Sequence, residues 1–223
     1  MDDNRKSPRH HCHAPFLGNN GAMRQIRLLS LSLLLPLLGA CTSASSNYSA
    51  ALESVAASRL TACHGYNCYF RTRFALDDGD MARIRAIMEG GAASPAAERE
   101  AVGRAVAYFE DKAGDAIGVR DRAKSTLDEG GTKGQMDCID ESTNTRTFML
   151  LLQKKGLLKH HAVQSNVSRG FFLDARYPHS TAVLKERKSG RLWAVDSWYE
   201  PMGGRPDILA LSEWKKRVVG GER

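Results

Sequence analysis

Cys138 stands where nucleophilic chemistry is easiest for a thiol. It follows a glycine-bearing loop, residues 129–137, that ends Gly134-Gln135-Met136-Asp137, and it opens an apolar stretch reaching Leu152. Asp137 is a residue type that caps helices, which puts the sulfur in a first helical turn. Unpaired N–H groups and the positive end of the helix dipole lie there and favour thiolate over thiol. The thiolate is the attacking form. Asp140 and Glu141 work against it by adding negative charge, so a neighbouring imidazolium has to outweigh them. A cysteine nucleophile also needs a base, and the base needs an orienting group. His179 heads Pro178-His179-Ser180-Thr181-Ala182-Val183-Leu184, and Asp196 lies inside Leu192-Trp193-Ala194-Val195-Asp196-Ser197-Trp198. A carboxylate in so apolar a run is costly unless paired. The alternative for Cys138 is a small buried hydrophobe.

Both of those runs read as strands, and the turn between them decides whether His179 meets Asp196. If Arg187–Gly190 is a four-residue turn, Glu186 faces Arg191 as an opposite-charge pair and Asp196 lies opposite Thr181. His179 then shares a face with Thr181 one diagonal step away, roughly 7 Å between Cα atoms, which side chains close. A two-residue turn at Ser189-Gly190 instead moves the pair about four residues out of step.

The surrounding elements suggest an α+β fold, helices first and antiparallel strands after. The Ala-rich segment Ala50–Ala62 predicts a helix, broken by Cys63-His64-Gly65-Tyr66-Asn67-Cys68. Tyr69 to Phe74 alternates as a short strand. Asp77, Asp78 and Asp80 precede Met81, Ile84, Ile87 and Met88, a capped amphipathic helix. Ser94-Pro95 opens another, with Val102, Ala105, Val106 and Phe109 at helical spacing. From Cys138 to about Lys155 the pattern is apolar nearly all round, so that helix is central and buried, and Gly156 stops it. His161–Val167, His179–Lys185 and Leu192–Trp198 are the strand candidates.

The N-terminus reads as an address. Arg24 and Arg27 precede a leucine-rich run from Leu28 to Leu38, which ends Leu38-Gly39-Ala40-Cys41. That is the layout of a secretory signal; the run is short for a bilayer and contains Pro36. The ending resembles a bacterial lipobox, and the resemblance implies cleavage before Cys41 and a diacylglycerol on its sulfur. An ordinary secretory signal with an incidental cysteine is the alternative. Met23 opens a better-proportioned signal than Met1, which would leave residues 1–22, with His10, His11, Cys12 and His13, outside the product. The expected organisation is a signal over 1–40, a small polar tether over 41–50, and one domain over 51–223. The expected location is the cell envelope, lipid-anchored at the outer membrane and facing the periplasm. Envelope proteins or peptides are then the substrates within reach.

The formal charge of +7 divides into +3 over residues 1–40 and +4 over the rest. So mild a balance, without an aromatic and basic stripe, gives no reason to expect a nucleic-acid partner. Of five cysteines, Cys63, Cys68 and Cys138 remain once Cys12 and Cys41 are set aside. In an oxidising compartment Cys63 and Cys68 are close enough to bridge, and Cys138 is left over, a flag for reactivity. Zinc on Cys63, His64 and Cys68 is the rival, without a convincing fourth ligand.

The order Gly134-Gln135-Met136-Asp137-Cys138 at a central helix, His179 at a strand start and Trp193-Ala194-Val195-Asp196 on the next strand resembles the transglutaminase-like superfamily. The chain also resembles the bacterial transglutaminase-like cysteine proteinases. The resemblance covers roughly residues 95–200, and the His-to-Asp gap is typical of it. It implies a papain/transglutaminase-like core, with N-terminal helices and a central buried helix packed on an antiparallel sheet, and it calls for no metal or cofactor. It implies Cys138 as nucleophile, His179 as base and then acid, and Asp196 as orienter. The Cys138 backbone N–H would serve an oxyanion hole, with Gln135 as second donor. Met136 departs from the family, whose members often carry an aromatic near the nucleophile. Trp193 and Trp198 either line an acyl cleft or pack the sheet. His160 and His161 are alternative bases, expected as solvated surface. The chemistry implied is acyl transfer from an amide through a thioester. Water as acceptor makes a peptidase or amidase, and a lysine amine makes a protein cross-linker. A non-catalytic binding lipoprotein on the same fold is the other reading, and a small disulfide-bonded envelope protein would need Cys138 in a bridge.

Overall fold

The computed structural model describes residues 48–170 and 178–217. The chain divides into two units, 1–38 and 39–223, and the described residues all belong to the second. The signal segment, Cys41 and the tether up to residue 47 lie outside the described residues. The tether's expected end does not hold, because residues 48–54 are helical (α1). Tyr48 packs against the core, and its hydroxyl accepts from Gln153 Nε2 at 2.6 Å, so the folded domain begins earlier than residue 51.

The helix expected to run on to Ala62 ends at residue 54. Leu60–His64 is instead a strand (β1), paired antiparallel with Phe70–Phe74 (β2) from Leu60 opposite Phe74 to His64 opposite Phe70. Alanine content favours helix only weakly, and tertiary contacts override it. The side chain of Asn144 accepts from Cys63 N and donates to Cys63 O, both at 2.8 Å, and so acts as a strand neighbour.

Asp78–Glu89 (α2) starts in a capping box. Asp77 accepts from Asp80 N at 2.7 Å and its own N–H reaches Asp80 Oδ2 at 3.1 Å. Pro95–Ile117 (α3) is capped by Ser94, which accepts from Ala97 N at 3.1 Å. A single 3-10 turn covers Leu127–Glu129. Cys138–Lys154 (α4) is buried from Phe148 to Leu152, and the stacked rings of Phe109 and Phe148, 4.6 Å between centroids, tie α3 to α4.

The second sheet is antiparallel throughout. His161–Val163 (β3) and Val167–Arg169 (β4) pair with His179–Glu186 (β5), followed by Leu192–Asp196 (β6) and Asp207–Ala210 (β7). Leu211–Trp214 (α5) closes the described chain. The single strand expected over His161–Val167 is therefore two, because Gln164 and Asn166 turn to α4: Arg146 Nε donates to Gln164 O at 3.0 Å and Asn166 to Ser142 Oγ at 3.1 Å. The architecture is a mixed α+β fold with α4 packed on an antiparallel sheet. Among the described residues no helix is long and apolar enough to cross a membrane.

Phe148→Ala should lower stability in urea titration by about 3–5 kcal/mol. Leu192→Ala, at a partly exposed position, should change it by less than about 1 kcal/mol.

Candidate active site

The hairpin joining β5 and β6 takes the longer turn. Lys185 stands opposite Leu192 and Ala182 opposite Val195, and Glu186 N donates to Arg191 O at 2.8 Å, so Arg187–Gly190 forms the connection. Continuing that register puts Asp196 opposite Thr181. His179 Nε2 lies 2.8 Å from Asp196 Oδ2, with the two side chains 1% and 2% exposed. Glu186 faces Arg191 in register, but its carboxylate pairs with Arg99 of α3 at 3.3 Å.

The buried Asp196 carboxylate is answered by several donors. Oδ2 also accepts from Trp214 Nε1 at 2.6 Å, and Oδ1 accepts from Trp198 N at 3.4 Å. A carboxylate only accepts, so a neutral His179 carries its proton on Nε2 and presents a lone pair at Nδ1. Nδ1 is buried without a hydrogen-bond partner among the described residues. The ring is boxed by Trp198, Tyr199 and Trp214, with centroids 5.1, 5.8 and 5.7 Å away. Arg169, opposite His179 across the β4–β5 pair, lies 4.3 Å over the Trp214 ring, donates to Trp214 O, and reaches Tyr199 Oη at 3.1 Å. Trp214 and Arg169 are the residues that strand parity misses. Their only mark in the sequence is a tryptophan soon after an apolar strand and an arginine in a strand.

Cys138 is the first residue of α4. Asp137 Oδ1 caps the helix, accepting from Ile139 N at 3.0 Å and Asp140 N at 2.8 Å. The sulfur lies against the backbone on both sides of His179: Sγ is 4.0 Å from Pro178 O and accepts from Ser180 N–H. Cys138 is the free cysteine among the described residues and is 8% exposed. Its electrostatics correct the expectation of a resting thiolate. Burial pushes the thiol up to about 11; the Ser180 N–H opposes this, and the charges of Asp137 and Asp196 add to it. Desolvation outweighs the helix dipole. The acids expected to oppose ionisation are themselves changed by burial. Glu141 is held well above the ordinary carboxyl range, and Asp140 is pushed up to about 6.

The other candidates separate clearly. Gln135 is buried, with its amide donating to Arg120 O at 3.4 Å and its Oε1 without a partner among the described residues. Trp198 borders His179, whereas Trp193 is sandwiched between Arg99 at 3.5 Å and Arg191 at 4.9 Å. His160 and His161 belong to another part of the sheet. His161 pairs with Glu186, seven residues along β5 from His179, about 23 Å at strand rise. His161 is not solvated surface: it is fully buried, 3.7 Å from Glu98, while the half-buried His160 reaches Ala92 O at 2.9 Å.

Cys63 and Cys68 form a disulfide. The rival zinc set fails on its donors, since the two sulfurs are bonded to each other. His64 accepts from Gly134 N through Nδ1 and meets Thr72 Oγ1 through Nε2. The loop inside the bridge is left-handed at four consecutive residues, Gly65, Tyr66, Asn67 and Cys68, with φ of 80°, 70°, 49° and 53°. Tyr66 and Cys68 each cost roughly 1–2 kcal/mol there, and Asn67 costs less.

Behind α4, Glu110, Asp121 and Glu141 converge on a cavity with room for about one water. Asp121 and Glu141 hydrogen-bond each other, and Asp121 Oδ1 accepts from Met136 N at 3.0 Å. Burial pushes Asp121 up to about 7 and Glu110 up to about 8. No family model, curated protein or solved structure matches the chain.

Carboxyls with raised folded-state pKa bind protons that the unfolded chain has released, so their contribution to stability is full below about pH 4 and is lost as pH rises through 7 to 8. Urea titrations should show wild-type stability falling between pH 5 and 8. Asp121→Asn should flatten that slope between pH 5 and 7 by up to about 1.4 kcal/mol per pH unit. An unchanged slope would mean that Asp121 is ionised throughout.

Proposed function

We propose that the chain is an exported, lipid-anchored cysteine hydrolase, a peptidase or amidase of transglutaminase-like type, acting on envelope proteins or peptides. The observation that carries this is the buried His179, fixed through Nε2 on Asp196 with Nδ1 unpaired, next to a thiol seated on the Pro178–Ser180 backbone. The packing of α4 on β5 and β6 supports a papain/transglutaminase-like core.

In this mechanism the Cys138 sulfur attacks the amide carbonyl carbon while its proton passes to His179 Nδ1. The tetrahedral oxyanion takes the Cys138 backbone N–H, which at rest faces its own sulfur at the helix start. Collapse breaks the C–N bond, and imidazolium protonates the departing amine. Water then attacks the thioester and gives a proton to His179. The carboxylic acid leaves and the thiol is restored. Asp196 offsets the charge on the imidazolium in both halves. Gln135 can serve as second oxyanion donor by giving up its long bond to Arg120 O. Hydrolysis is favoured over cross-linking because no feature among the described residues selects an amine. Burial of the sulfur, its raised pKa and the absence of a hydrogen bond from it to His179 Nδ1 favour a non-catalytic binding module instead.

Carbamidomethylation of Cys138 by iodoacetamide separates these readings. In the wild type, the rate at pH 7 should exceed that of His179→Ala by at least about tenfold. In the variant it should climb only as pH approaches the thiol's own range near 11. Superimposable profiles favour the binding module. The anchor is tested separately. Cells fed labelled palmitate should incorporate it, and Cys41→Ser should abolish the label and move the protein to the soluble fraction; a protein that stays membrane-bound and unlabelled would refute the anchor.

A further inference from the structure

The left-handed turn at Gly65–Cys68 is fastened to the nucleophile's own helix start. Tyr66 N and Cys68 N donate to the two oxygens of Asp140 at 2.8 and 2.5 Å, and Asn67 N donates to Asp137 Oδ2 at 3.1 Å. These carboxylates flank Cys138 in sequence, and Asp137 caps α4 with its other oxygen. Gly65 N also reaches Gln135 O at 2.6 Å, and Gly131 N reaches Gly65 O at 3.1 Å. Gly65 suits its place, since a Cβ there would come 2.5 Å from Phe70 Cδ2. Tyr66 and Cys68 have no such freedom and hold a disfavoured conformation, and Asn67 adopts it more easily than they do but less easily than glycine. The bond to Cys63 and the amide contacts to Asp137 and Asp140 keep them there, helped by Tyr69 N on Tyr66 O at 3.0 Å and by the Tyr66 hydroxyl on Thr126 O.

We propose that the Cys63–Cys68 disulfide is an activity switch, intact in the reactive enzyme and opened by a dithiol reductant to disable Cys138. This rests on Cys138 being the nucleophile proposed above. The chemistry is thiol–disulfide exchange. A thiolate of the reductant attacks Cys68 Sγ, the half-buried sulfur; Cys63 is buried. The S–S bond breaks and Cys63 departs as a thiolate, which takes up a proton. The reductant's second thiolate attacks the mixed disulfide, expels Cys68, and leaves as an oxidised cyclic disulfide. Two electrons have then entered the chain. Both sulfurs lie within 4.8 Å of an Asp140 carboxylate oxygen, so a thiolate released there meets like charge. Without the bond, the three residues relax out of the left-handed region. Their amides leave Asp137 and Asp140, and the first turn of α4 loses the contacts that fix the sulfur against residues 178–180. A disulfide that served only as a staple would lower the melting temperature and leave Cys138 reactivity unchanged in the folded protein.

The test follows carbamidomethylation of the Cys138 peptide by mass spectrometry at pH 7. The full chain is compared before and after dithiothreitol treatment and removal, with far-UV circular dichroism as the check on folding. Reduction should slow Cys138 by about tenfold, within the ordinary range of coupling between sites, and reoxidation should restore the rate. Cys63→Ser/Cys68→Ser should behave like the reduced protein. Tyr66→Gly/Asn67→Gly, which makes the left-handed turn conformationally cheap, should match the wild type when oxidised and keep most of its rate when reduced. The switch is overturned if reduced and oxidised wild type react equally while folded, or if the glycine variant loses as much as the wild type. The two proposals fail distinguishably. An oxidised rate that does not depend on His179 defeats both, whereas a His179-dependent rate indifferent to reduction defeats only the switch.

Discussion

Asp196 is a carboxylate with almost no access to water, and much of the C-terminal half of the domain answers to it. An unpaired charge at that depth would cost several kcal/mol. Its oxygens are met instead by an imidazole, an indole and a backbone N–H. Each donor fixes an element. The His179 contact requires the β5–β6 register, in which a one-residue slip would turn either side chain to the opposite face. The Trp214 contact requires that the chain, after pairing as β7, turn at once into α5. The Trp198 N–H requires that β6 stop at Asp196 and bend. Arg169 then locks the indole from the far side through a ring contact and a bond to its carbonyl. The histidine is held by this frame through Nε2, with three aromatic rings around it.

The helix that carries Cys138 is built differently. An otherwise greasy helix carries Glu141, Ser142, Asn144 and Thr145 one to two turns after Cys138, and each buried polar side chain there has a task. Asn144 closes the edge of β1, Thr145 meets Ser197 at 3.2 Å, Ser142 receives Asn166, and Glu141 joins Asp121. Apolar packing alone would leave the rotation of α4 about its axis loosely specified; these bonds name a rotation, and with it the direction in which the sulfur faces.

The parts legible in the sequence are those set by local periodicity. Strand parity and the length of one turn bring His179 to Asp196, and sequence proximity brings Cys63 to Cys68. What the sequence hides depends on distant partners. Residues 60–62 look helical because they continue an Ala-rich segment, yet they pair with β2, and the other edge of the strand is met at Cys63 by Asn144, eighty-one positions on. His161 looks like surface because a second histidine precedes it, yet Glu98 lies close to its ring in the interior. Trp214 comes to the site only because β7 adds to the sheet edge. The protonation of Cys138 is likewise illegible, since the helix start is visible in the residue pattern and its burial is not.

That last point shapes the chemistry. A helix N-terminus stabilises a nearby anion only modestly. Burial, with the charges of Asp137 and Asp196 beside it, outweighs that pull and the Ser180 N–H and raises the thiol to about 11. A sulfur so placed does not rest as an anion. On the mechanism proposed above, its proton has to move as the carbon–sulfur bond forms, and the acceptor must already be oriented. That requirement fits the contacts that hold one imidazole in the sheet. A thiol held protonated by burial is a weak nucleophile until a base takes its proton.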